Sequence, residues 1–66
     1  MYETFADAKN AAMRVINRLY NGEKMNCVVV ETKGKKKTWF NFRFHDTDTL
    51  GMFVPVGNIQ ERRTRI

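Results

Sequence analysis

The sequence predicts an α+β domain: one N-terminal helix packed on a three-stranded antiparallel meander in the order 1-2-3. Three observations carry this. Apolar residues recur at helical spacing only in the first third of the chain. Three later runs alternate or are rich in β-branched and aromatic residues, as half-buried strands require. Turn residues separate these runs. The alternative arrangement is a small, strongly bent β-barrel capped by the helix.

The helix spans about 4–21. Phe5, Ala8, Ala12, Val15, Ile16 and Leu19 fall on one face, with Asn10, Arg14, Asn17 and Asn21 opposite. Thr4 supplies an N-cap, and Asp7 three residues on is an acidic variant of the capping box. Asn21-Gly22 supplies the stop, because glycine accepts the left-handed conformation at a helix C-terminus.

The strands are expected at about 25–32, 37–45 and 50–56, with Asp46-Thr47-Asp48-Thr49 as a turn. Register follows from matching faces, since a slip of one residue sends every side chain to the wrong side. A four-residue tip, Lys33-Gly34-Lys35-Lys36, sets Val29 against Phe40, Cys27 against Phe42 and Met25 against Phe44. That face is wholly apolar, whereas a three-residue tip would set Asn26 against Phe42. Leu50, Met52, Val54 and Val56 are then expected beside the Phe residues, under the helix. Residues 60–66 read as a basic tail.

A chain of 66 residues is at most one domain, with a thin core. Cys27 is the sole cysteine, so no internal disulfide forms, and with His45 the sole histidine no metal site or other cofactor is expected. No apolar run approaches the length that spans a bilayer, and no signal-peptide core is present. The expectation is a cytoplasmic protein without membrane association.

The net charge is +5, which favours anionic partners. Between Lys33 and Arg43 there are five basic residues and no acid, and Arg62, Arg63 and Arg65 follow near the end. Gly34-Lys35-Lys36-Lys37-Thr38 is not a phosphate-binding P-loop, because that motif needs a second, earlier glycine and a helix straight after. Cys27 lies on the core face, where a cysteine acts as a small apolar residue. His45 and Asp46 have no nucleophile or oxyanion arrangement beside them. No enzymatic constellation is found.

The expected outer sheet face carries Asn26, Val28, Val30, Lys37, Trp39, Asn41, Arg43, His45, Phe53 and Pro55. Two readings follow. Trp39 and Phe53 form a stacking platform for bases while cations hold the phosphates, or they pack with Val28 and Val30 against a second subunit or the C-terminal segment. On the first reading the chain is a small nucleic-acid-binding protein, for DNA or RNA, whose site comprises Lys33, Lys35, Lys36, Lys37, Trp39, Asn41, Arg43, Phe53, Arg62, Arg63 and Arg65. The alternative is a protein-binding regulator or inhibitor that docks the same face on an acidic partner. A homodimer through Val28, Val30, Trp39 and Phe53 is also expected, because such an apolar patch marks a contact site.

Overall fold

The computed structural model describes residues 1–19, 26–45 and 50–66. Helix α1 (Phe5–Leu19) is followed by strands β1 (Cys27–Lys33), β2 (Thr38–Phe44), β3 (Phe53–Val56) and β4 (Ile59–Arg65). The four strands pair antiparallel in the order β2-β1-β4-β3. The class is α+β, but the sheet has four strands where the sequence suggested three, the order is not that of a meander, and it does not close into a barrel.

The helix starts as its residues dictate. Thr4 Oγ1 accepts the Asp7 backbone N–H at 3.1 Å, meeting one orphan donor of the first turn, and the Thr4 carbonyl accepts the Ala8 N–H at 3.2 Å as the first bond of the helix. Burial follows Ala8, Ala11, Ala12 and Ile16. Ala11 replaces the expected ends of the stripe, for Phe5 and Leu19 are exposed. Small alanines let the helix axis approach the sheet closely at its middle. The expected stop at Asn21-Gly22, the pairing of Met25 and the 46–49 turn lie outside the described residues.

Strand β1 holds a run without polar residues, Cys27 to Val30, each at most 2% exposed. Such a run is apolar on both faces, which suits a central strand. On the helix side, Cys27 joins Ala12 and Ile16, with Phe42, Phe44 and Ile66 packed around them. Phe42 and Phe44 meet edge to face at 5.8 Å, and Tyr2 lies 6.2 Å from Phe42. Burial of Val28, Val29 and Val30 contributes about 1.5–3 kcal/mol each, a large share for so small a core.

The hairpin between β1 and β2 keeps its faces but shifts its register. Cys27 pairs with Phe44 and Val29 with Phe42, two positions along β2 from the expected partners. The tip is still four residues, but it is Gly34 to Lys37, closed by a Gly34 N–H to Lys37 carbonyl bond of 2.9 Å. A two-residue shift returns each side chain to its own side, so Phe40, Phe42 and Phe44 stay on the helix face.

The larger correction concerns the C-terminal third. Residues 59–65 are not a tail but β4, inserted between β1 and β3. Strand β3 is shorter than expected and lies at the far edge, so Val54 and Val56 do not sit beside the Phe residues of β2. Val56-Gly57-Asn58-Ile59 makes the turn, with Val56 opposite Ile59 and Gly57 at φ 63°. Glycine is needed there because the first central residue of a two-residue hairpin loop of this kind has positive φ. Beyond β4, the Ile66 N–H bonds the Cys27 carbonyl at 3.1 Å and returns an apolar side chain to the core.

Both outer edges of the sheet are partly closed. On β2, Phe40 exchanges two 2.8 Å backbone bonds with Tyr2. The next outward N–H, that of Phe42, is accepted by Asn41 Oδ1 at 2.9 Å. On β3, Pro55 stands opposite Gln60 and offers no N–H to an incoming strand.

Two expected outcomes test this architecture. Phe42→Ala removes the ring between Tyr2 and Phe44, so its cost should fall near the low end of the ~3–5 kcal/mol typical for Phe→Ala, since the ring is only half-buried. Asn41→Ala leaves an exposed N–H to water and should stay within about 0.5 kcal/mol of the parent; urea denaturation of the pair compares them. Cys27 is fully buried and its pKa is raised by desolvation, so the neutral thiol persists to higher pH than in the unfolded chain and stability falls as pH rises past the unfolded thiol's pKa. The native chain should therefore resist a thiol reagent at pH 8, whereas a chain lacking 60–66 loses β4 and should label at the rate of a free thiol.

Candidate nucleic-acid interface

The registers fix which residues share the face remote from the helix. Partners across the sheet lie on the same side. One row is Arg43, Val28 and Arg65; the next is Asn41, Val30 and Arg63; the third is Trp39, Thr32, Glu61 and Val54. Val28, Val30 and Thr32 are nevertheless buried. Their neighbours in these rows include Arg43, Arg63 and Arg65, whose aliphatic stems can cover apolar surface while the charged heads stay in water.

This face thus holds three arginines. Arg43 and Arg65 are exposed, and Arg63 is more enclosed. Arg43 and Arg65 belong to strands two apart, so their backbones are about 10 Å from one another. The one acid among these rows, Glu61, lies 3.6 Å from Arg63. The guanidinium groups can each grip an anion through two parallel N–H donors.

The other end of the face is the hairpin tip. Lys35, Lys36 and Lys37 are exposed. Lys37 Nζ stands 5.9 Å from the centre of the Trp39 ring. Gly34 lies directly against that ring: a Cβ added there would be 3.0 Å from Trp39 Cζ3 and 3.2 Å from the Lys37 carbonyl oxygen. The tip therefore folds onto Trp39, which is half-buried rather than a free platform. Asn41 is equally committed, since its amide oxygen caps the Phe42 N–H.

The remaining sequence-derived candidates lie elsewhere. Phe53 and Arg62 are cross-strand partners on the helix-side face, with the Arg62 guanidinium 5.7 Å from the Phe53 ring centre. Lys33, paired with Thr38 and Gln60, belongs to that same side. Trp39 and Phe53 do not form a pair, because two strands separate β2 from β3 and the rings are on opposite faces. The apolar patch expected from Val28, Val30, Trp39 and Phe53 is accordingly not formed: the two valines are at most 2% exposed within the single chain, and Phe53 faces away.

No protein-family model, no curated protein and no solved structure matches this chain.

Residues that the sequence did not single out together meet around Tyr2. One recess is lined by Tyr2, Lys37 and Trp39 with Met1, Glu3 and Thr38. A second is lined by Tyr2, Ala11, Arg14, Val15, Asn17 and Arg18. The spacing of Arg14 and Arg18 places them on one helix face, but nothing in the sequence joins Tyr2 to them. That requires the Tyr2–Phe40 bridge.

Gly34→Ala tests the contact at the tip. The added methyl meets both the indole and a backbone carbonyl, so the ring should be displaced toward water. Trp39 is the only tryptophan, so its emission maximum should shift to the red while far-UV circular dichroism stays at the parent's. An unshifted spectrum would show that the ring does not rest on Gly34.

Proposed function

We propose that this chain is a small, non-enzymatic nucleic-acid-binding protein that engages phosphates through Arg43, Arg63 and Arg65 and through Lys35, Lys36 and Lys37. The observation that carries the reading is the gathering of the C-terminal arginines beside Arg43. In sequence they are 20 or more residues from it; in the sheet Arg65 shares its row across Val28, and Arg63 lies on the same face in the next row, beside Val30. A rigid strand holds them at fixed spacing, so less side-chain and backbone entropy is lost on binding than from a mobile tail.

The mechanism is one of electrostatic capture. Each guanidinium or ammonium group that meets a phosphate releases a condensed counterion, and the gain depends on salt but not on base identity. Trp39 adds a partly exposed ring at the end of the arginine face, where an unpaired base can stack. With Asn41 occupied on the sheet edge, base-specific hydrogen bonding from this face is limited, which favours binding with little sequence preference.

A second reading, docking on a partner protein, draws on Met52, Phe53 and Val56, which are exposed at the β3 corner. Met52→Ser with Phe53→Ser would weaken that contact and leave nucleic-acid affinity alone.

The deciding measurement is a mobility-shift titration with single- and double-stranded DNA and RNA at two salt concentrations. Arg43→Gln with Arg65→Gln should weaken binding to all sequences by the same factor. Removing two phosphate contacts should also make the log–log salt slope shallower by about 1.4 on a single strand or about 1.8 on a duplex. Parent-like affinity and slope would remove these arginines from the interface.

A further inference from the structure

We infer that the binding surface continues around the β2 edge, past Tyr2, to Arg14 and Arg18 on α1, and that its occupant is a single strand of nucleic acid. This rests on the nucleic-acid reading above and extends it to a second cationic position on another element.

Tyr2 is the shared wall of two recesses, one reaching Lys37 and Trp39 at the hairpin tip and the other reaching Arg14, Asn17 and Arg18 on the helix. Its place is set by the paired backbone bonds to Phe40 and by its ring against Phe42. The two recesses therefore flank one fixed aromatic. Cations stand at both ends, Lys37 at one and Arg14 with Arg18 at the other, and all three are exposed. Among the described residues Glu3 is the single acid lining either recess.

The series of cation, ring, ring and cation offers partners for both kinds of group that a single strand presents, its phosphates and its unpaired bases. A duplex keeps its bases stacked inside, so neither Trp39 nor Tyr2 could receive one. An acidic peptide would satisfy the cations but would leave both rings without flat partners. In the helix-side recess the Asn17 amide supplies a donor and an acceptor for a base edge, and Ala11 and Val15 supply an apolar floor.

The test is fluorescence anisotropy with a labelled oligothymidine of about 12 nucleotides, a length within the range of small single-strand sites. The comparison set is a duplex of equal length and polyglutamate as competitor. Arg14→Gln with Arg18→Gln, both on an exposed helix face, should keep the parent's circular dichroism. The salt slope should become shallower by about 1.4, the value for two lost phosphate contacts on a single strand. The parent should prefer the single strand to the duplex. If the helix variant keeps the parent's slope while Arg43→Gln with Arg65→Gln loses it, the groove is not used and the sheet-face reading stands alone. Equal affinity for duplex, or displacement by polyglutamate as effective as by unlabelled oligothymidine, overturns the single-strand assignment. If the parent binds no nucleic acid at low salt, both the inference and the reading beneath it fall.

Discussion

The constraint on which the structure depends is that β1 is apolar on both faces. Cys27 and Val29 turn toward the helix, Val28 and Val30 away from it, and none is more than 2% exposed. One helix can cover only one side. The other side must be covered from within the sheet, and a strand with backbone donors on two edges needs a neighbour on each. Strand β2 supplies one neighbour through the lysine hairpin. The second has to come from the remainder of the chain, and β4 with its arginines meets both needs. Its backbone pairs with β1, and its long side chains lie in the same rows as the valines. The charged character of β4 is thus compatible with a central position.

This explains which parts of the fold were legible in the sequence. The helix, its Thr4 cap and the two faces of the first hairpin follow from local periodicity and survive even the two-residue shift of register, because a shift of two preserves the faces. The fourth strand was hidden because Gln60, Glu61, Arg62, Arg63, Thr64 and Arg65 show no apolar alternation. Two signals pointed to it. Gly57-Asn58 is a hairpin dipeptide, and the run Val28-Val29-Val30 marks a strand enclosed on both sides rather than one at an edge. Once β4 is placed, the outer-face assignment of Phe53 fails, because β3 pairs with β4 rather than β2 and its parity is set by that new partner.

The candidate site was legible by residue type and not by arrangement. The basic residues that the sequence offered are divided by the strand's period of two, with Arg63 and Arg65 on one face and Arg62 on the other. Of the hairpin lysines, Lys37 stands over Trp39, and with Gly34 it already occupies part of the ring's surroundings. The role of Tyr2 could not be read at all, since a bridge between residues 2 and 40 leaves no local pattern.

The protected edges bear on what kind of partner this sheet can take. A strand from another chain would add most readily where backbone N–H and C=O groups are open. On β2 the open groups at Phe40 are taken by Tyr2, and the Phe42 N–H is taken by Asn41. On β3 the proline withdraws a donor at Pro55. Recognition by strand addition is therefore disfavoured at both ends of the sheet, and what remains are its faces and the groove beside Tyr2. Those surfaces carry arginine, lysine and partly exposed aromatic rings, with few opposing acids. Such a surface offers charge and flat rings rather than open backbone groups, which is what the proposed reading draws on. Because β1 needs β4, and β4 delivers Arg63 and Arg65 to Arg43, the same packing requirement that completes the core also assembles the cationic face.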